Sequence, residues 1–142
     1  FLIVLTIVLV ILIKNKKIGI SIFSNLVIIT ILNQLIKRIL QRPRPTEYRI
    51  IEETGYSFPS GHSMVSMAFY GYLIYLIYKY VKNKYLKWIS IVLLSILICS
   101  IGVSRIYLGV HYTSDVLGGF LLSISYLVIY ISAVNKFLIK DK

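Results

Sequence analysis

Long uncharged, apolar stretches recur along this chain and restrict its fold to a bundle of membrane helices. They are roughly 16 to 25 residues long, close to the roughly 20 residues that a helix needs to cross a bilayer. The 142 residues are 58% hydrophobic, well above an ordinary soluble domain. Backbone groups in lipid need partners within their own segment, which helices provide and open strands do not. The sequence therefore predicts an all-α, polytopic transmembrane helical bundle.

Five spans are predicted, at residues 1–13, 18–36, 60–78, 88–104 and 113–135. The first is too short to cross a bilayer, because helix of this length reaches only about 20 Å into a core of roughly 30 Å. Since the chain also begins at Phe1 rather than Met, we expect it to be N-terminally incomplete, with six spans in the intact protein. Neither a repeat nor a Pro/Gly/Ser-rich linker divides it, so residues 1–142 are predicted to form one membrane domain.

The net charge of +11 predicts how the chain is oriented in the membrane. If the helices alternate in direction, ten lysines lie on one side of the bilayer. Five arginines, one lysine and four carboxylates lie on the other side. Lysine-rich loops mark the cytoplasmic face, so the charge is assigned to topology and to contact with membrane lipids rather than to nucleic acid. The lysines of the predicted cytoplasmic side are Lys14, Lys16, Lys17, Lys79, Lys82, Lys84, Lys87, Lys136, Lys140 and Lys142.

A cationic segment, KRILQRPRP, closes the second predicted span on the opposite, extracytoplasmic side. Its two prolines disfavour helix in the residues just before them, so its cations are expected at a helix-to-loop transition. Arginine in particular suits bidentate contact with phosphate oxygens. Lys37 and Arg44 are candidate phosphate ligands, and Arg42 is undecided because RPRP offers two Arg-Pro pairs. Arg38 and Arg49 are interpreted as charges that anchor the chain at the membrane interface.

A second segment, PSGH, opens the next predicted span. Pro59 stiffens the entry, Ser60 is a candidate N-cap, and Gly61 lets the backbone approach a ligand closely. The free N–H groups of a helix start attract anions, and His62 on the first turn would face such an anion. The alternative is an ordinary helix start that carries a titratable histidine.

A third segment, SRIYLGVHYTSD, contains an arginine, a histidine and a carboxylate around the turn between two spans. Gly109 permits this turn between Arg105 and the next helix. A separation of four residues is expected to place His111 and Asp115 on one helix face, where the carboxylate can orient the imidazole. Ionisable residues near a membrane span are costly without a role. The alternative is a structural His–Asp pair that locks a helix corner.

Taken together, the three segments resemble, in order and internal spacing, the three signature motifs of the type 2 phosphatidic acid phosphatase (PAP2) superfamily. The resemblance extends from Lys37 to Asp115, more than half of the chain. The family spacing of a lysine, six residues and Arg-Pro selects Lys37 and Arg44 within the first segment. Every motif position that we can assign is present, so the resemblance implies an active enzyme.

The resemblance implies a division of labour between the two histidines. His111 would attack phosphorus to form a phosphohistidine, with Asp115 orienting it. His62 would protonate the leaving group and then activate water. Neither a metal nor another cofactor is predicted, because cations and a helix dipole take the place of an ion. The residues implied to bind the phosphoryl group are Lys37, Arg44, Ser60, Gly61 and Arg105.

The leading hypothesis is a lipid phosphatase of the bacterial cytoplasmic membrane, with its active site on the extracytoplasmic face. Candidate substrates are phosphatidic acid, phosphatidylglycerol phosphate and undecaprenyl diphosphate. One alternative is a related lipid phosphotransferase, and another is a non-catalytic membrane scaffold. Vanadate-dependent haloperoxidases share the motif architecture, but usually as soluble proteins. The oligomeric state is not predicted.

Overall fold

Four α-helices make up most of the computed structural model, which describes residues 15–138. The predicted spans 18–36, 60–78, 88–104 and 113–135 coincide with these helices to within a few residues. The predicted segment 1–13 lies outside the described residues, and the helix at 60–78 is not among those long and apolar enough to cross a membrane, so five spans are not shown. The helices are α1 (Lys16–Leu40), α2 (Gly61–Tyr80), α3 (Lys84–Tyr107) and α4 (Thr113–Phe137).

Side-chain caps define where three of the helices begin. Asn15, Ser60 and Asn83 each accept a hydrogen bond from a backbone N–H in the first turn of α1, α2 and α3. Such caps satisfy donors that have no partner within the helix. At its other end, α1 stops at Gln41, which adopts a left-handed conformation with φ of 46°. The irregular loop from residue 41 to residue 60 therefore begins just before the first proline of the cationic segment.

Helix α2 occupies the centre of the bundle and packs against each of the other three helices. Its buried side chains include Ser63, Ser66, Tyr70 and Tyr72. Within residues 15–138, only α1, α3 and α4 are both long and apolar enough to cross a membrane. Because these polar side chains are buried against protein, α2 does not need the same hydropathy as its neighbours.

Hydroxyl and amide groups join α1 to α2 and α4 in the interior of the bundle. The Tyr72 hydroxyl donates to Ser21 Oγ at 2.8 Å, and Asn25 Nδ2 donates to the Ala68 carbonyl at 3.0 Å. The Tyr130 hydroxyl donates to the Ser21 carbonyl. Polar contacts of this kind hold membrane helices together where apolar burial cannot, because lipid is as apolar as the helix surface.

Candidate active site

A cavity of about 660 Å³ lies at the end of the bundle where the loops after α1 and α3 meet the start of α2. Ser60 and Asp115, which were also predicted to belong to the site, lie outside its lining. Its deeper wall is largely apolar and includes Leu26, Val65 and Ile101. The predicted site residues that line it are Lys37, Arg44, Gly61, His62, Arg105 and His111.

Asp115 lies directly behind His111 and is fully buried. Its Oδ2 is 3.5 Å from His111 Nδ1 and accepts hydrogen bonds from the Tyr112 N–H, at 2.9 Å, and from the Ser57 hydroxyl. Its Oδ1 is paired with Arg42 Nη1 at 2.8 Å. The carboxylate is thus surrounded by donors, and the Nε2 atom of His111 is left on the cavity side.

His111 and Asp115 meet, but not on one face of a helix as was predicted. Helix α4 begins at Thr113 and Tyr112 is its N-cap, so His111 precedes the helix rather than lying on its first turn. Asp115 accepts from the Tyr112 N–H as part of a capping box, and this bond turns the chain so that the two side chains meet. Gly109 provides the preceding turn with φ of +69°, a conformation that favours glycine.

Burial lowers the pKa of His111 to about 4, because a charged imidazolium is poorly solvated there. The nearby cations Arg44 and Lys37 lower this pKa further, and Asp115 opposes the shift. Arg44 Nη1 lies 3.3 Å from His111 Nε2. The imidazole is therefore neutral at physiological pH, with a nitrogen lone pair available.

Arg44 is held in place by the backbone of two loops. Its guanidinium group donates to the carbonyls of Gly55 at 3.1 Å, Thr54 at 3.2 Å and Val110 at 3.0 Å. The side chain is only 8% exposed and also pairs with Glu53 at 2.9 Å. Because its orientation is determined by main-chain atoms, Arg44 presents a fixed positive charge beside His111.

Two further cations reach the cavity from the last turns of helices. Lys37 lies in the last turn of α1, and its Nζ donates to the Tyr56 carbonyl. Arg105 lies in the last turn of α3, and its Nη1 is 3.6 Å from Glu53 Oε1. Together with Arg44, they make the polar end of the cavity suited to an anion.

Ser60 caps the start of α2, as predicted, and its role as a phosphate ligand stays a prediction. This side chain is fully buried, and its Oγ accepts hydrogen bonds from the backbone and hydroxyl of Ser63 at 3.4 and 2.9 Å. Ser60 is thus a helix cap, and its own N–H donates to the Asp115 carbonyl oxygen at 3.1 Å. Gly61 and His62 line the cavity directly.

Three residues near the site were missed or left open by sequence reasoning. Glu53 lines the cavity and bridges Arg44 and Arg105, and Ser57 bonds to Asp115. Arg42, undecided from the sequence, pairs with Asp115 and lies 4.3 Å from the centre of the Tyr112 ring. No local pattern marks Glu53 or Ser57, because both lie in the irregular loop.

Comparison with known proteins identifies the family and the fold. The chain matches the PAP2 superfamily over residues 18–139. Its fold is similar to the crystal structure of a transmembrane PAP2 type phosphatidylglycerolphosphate phosphatase from Bacillus subtilis, with a TM-score of 0.82 and 27% identity over 96% of this chain and 68% of that one. The chain belongs to the PAP2 superfamily, as the three motifs predicted, and it is a membrane protein.

Two curated relatives of this chain are named as phosphatases of different lipids. Phosphatidylglycerophosphatase B of Bacillus subtilis is 38% identical over 96 residues, which are 66% of this chain and 47% of the relative. Undecaprenyl-diphosphatase of Sulfolobus acidocaldarius is 30% identical over 130 residues, which are 86% of this chain and 59% of the relative. The chain thus matches about half of the length of these relatives.

Proposed function

We propose that this protein is an integral-membrane phosphatase that hydrolyses a lipid phosphomonoester or diphosphate through a phosphohistidine. The observation that carries the proposal is the environment of His111. Its neutral imidazole has Nδ1 next to the buried Asp115 carboxylate and Nε2 next to Arg44. A nucleophile backed by an orienting carboxylate and facing fixed cations is the arrangement required for phosphoryl transfer.

The first step follows from this arrangement. His111 Nε2 attacks phosphorus, and the bond from phosphorus to the leaving oxygen breaks. His62 donates a proton to that oxygen, so the alcohol or lipid phosphate leaves in a stable form. Lys37, Arg44 and Arg105 neutralise the oxygens of the transferring group, which is where most of the rate acceleration arises.

The second step releases phosphate. His62, now without its proton, accepts one from a water molecule, and the oxygen of that water attacks phosphorus. The bond between phosphorus and His111 Nε2 breaks, and inorganic phosphate forms. Asp115 stabilises the positive charge that His111 carries in the intermediate.

The wall of the cavity supports a lipid as the substrate. Leu26, Val65 and Ile101 line it below the cations, so an acyl or prenyl chain has apolar contacts while its phosphate meets the basic end. Phosphatidylglycerol phosphate and undecaprenyl diphosphate are the candidates that the names of the relatives indicate, and phosphatidic acid is a third. We place the reaction at the extracytoplasmic face of a bacterial cytoplasmic membrane.

The test is phosphate release by the purified protein from a panel of these three lipids in excess EDTA. We expect release from at least one lipid, inhibition by vanadate, and an acid-labile phosphoenzyme. His111→Ala should abolish both turnover and phosphoenzyme. His62→Ala should slow turnover, while a substrate with a good leaving group still forms the intermediate. Near-normal activity of His111→Ala, or activity that requires added magnesium, would contradict the proposal.

A further inference from the structure

Glu53 lies where the phosphate of a substrate would bind. Its Oε2 is 2.9 Å from Arg44 Nη1 and 4.0 Å from His111 Nε2. Its Oε1 is 3.6 Å from Arg105 Nη1. A phosphorus atom poised for attack lies about 3 to 3.5 Å from the attacking nitrogen. The carboxylate and a phosphate therefore cannot occupy this space together.

The side chain of Glu53 is free to leave this position without disturbing a helix. It belongs to the irregular loop between α1 and α2, and it is 24% exposed. The adjacent Glu52 and Thr54 side chains are exposed to solvent. The loop backbone is anchored nearby, because Arg44 bonds to the carbonyls of Thr54 and Gly55. Because the side chain is already partly exposed, we expect its rotation to carry the carboxylate towards solvent.

We infer that Glu53 is an internal competitor for the phosphate site, displaced by substrate and returning as product leaves. This inference rests on the proposed phosphatase function of the same cavity. A carboxylate shares the planar oxygen pair and negative charge that arginine recognises in a phosphate. When Glu53 returns to Arg44 and Arg105, it occupies the space that inorganic phosphate must vacate. The site is thereby kept from being blocked by its own product.

Competition of this kind has a quantitative signature. A competitor within the protein reduces the apparent affinity of every anion for the site by one common factor, because it lowers the fraction of protein with an open site. Removal of the Glu53 charge should therefore tighten the binding of inorganic phosphate, vanadate and substrate by the same factor. We expect that factor to be roughly tenfold, the equivalent of about 1.4 kcal/mol.

The experiment compares the wild-type protein with Glu53→Gln, which preserves shape, and with Glu52→Gln as the matched control. Calorimetry measures the dissociation constant of inorganic phosphate without needing turnover. Inhibition by vanadate and the KM for a lipid phosphate give the other two factors. In Glu53→Gln all three constants should fall about tenfold, and in Glu52→Gln they should not change. Glu53→Ala should shift them in the same direction, which provides a second variant if Gln perturbs folding.

Four results would overturn the inference. Weaker phosphate binding in Glu53→Gln would mean that Glu53 positions the arginines instead. An unchanged constant, or no measurable phosphate binding by either protein, would show that the carboxylate does not compete. An equal shift in Glu52→Gln would indicate a general effect of loop charge. Tight binding in Glu53→Gln combined with no turnover by the wild type would contradict the proposed reaction and leave the competition supported.

Discussion

Replacement of Asp115 by asparagine is the most informative perturbation of this site, because it removes one charge and almost no volume. Both carboxylate oxygens accept hydrogen bonds from donors: Arg42 on Oδ1, and the Tyr112 N–H and Ser57 hydroxyl on Oδ2. An asparagine must place its NH₂ group at one of these positions. Either choice brings two donors together, so a buried donor is left without a partner.

The expected cost follows from this geometry. An unsatisfied buried donor costs about 1–3 kcal/mol, and loss of a hydrogen bond to a charged group costs a similar amount. The Arg42 side chain is 38% exposed, so solvent screening reduces the contribution of the Arg42–Asp115 pair to this cost. We therefore expect Asp115→Asn to lower the free energy of unfolding by roughly 2–4 kcal/mol.

The effect on catalysis should be larger than the effect on stability. Without the carboxylate, the His111 tautomer that carries its lone pair on Nε2 is no longer favoured. In other enzymes with a catalytic His–Asp pair, replacement of the Asp by Asn reduces turnover by about 10⁴-fold. The assay is phosphate release by the purified variant, with helical circular dichroism to establish folding. Ser114→Ala is the control, since it removes another partner of Arg42 but keeps the carboxylate. A folded Asp115→Asn protein with more than about a tenth of wild-type turnover would refute the orienting role.

Two further predictions concern protonation and orientation. The chain contains two histidines, so histidine-selective NMR in detergent, assigned with His62→Gln, should show His111 titrating near pH 4. Because the pKa of His111 is lower in the folded than in the unfolded protein, the free energy of unfolding should fall as the pH is lowered from about 6.5 towards that value. A His111 signal that titrates near 6.5 would contradict the burial argument. In a Cys99→Ala background, a cysteine at Glu52 should react with a membrane-impermeant thiol reagent on intact cells, and one at Asn83 only after the membrane is opened. The reverse labelling pattern would place the site on the cytoplasmic face.

The sequence was sufficient to predict the helices and the residues that share the cavity. Apolar runs predict helices because lipid offers the backbone no other partners. Lys37, Arg44, His62, Arg105 and His111 could be selected because each lies in a short segment at a helix end. Successive helices run in opposite directions, so the end of one helix and the start of the next lie at the same face of the bundle. The spacing of these segments along the chain follows from that arrangement.

The rest of the site depends on tertiary contacts that no local pattern encodes. Ser60 was predicted both to cap α2 and to bind phosphate, and the sequence could not separate these roles, because a serine that caps a helix and one that faces a ligand have the same sequence signature. Glu53 and Ser57 lie in a loop whose path is determined by the bonds of Arg44 to distant carbonyls. Their positions follow from the fold and could not be read from the neighbouring residues.

The hydrogen bond from the Ser60 N–H to the Asp115 carbonyl oxygen has a consequence for how this protein can evolve. It joins the start of α2 to the first turn of α4 through main-chain atoms, which are retained whatever the side chains. The apolar wall of the cavity is built instead from side chains such as Leu26, Val65 and Ile101. If the protein acts on a lipid phosphate as proposed, substitutions there should change which lipid fits while the two helix starts keep their distance. We therefore expect substrate preference and chemistry to be separable by mutation in this bundle.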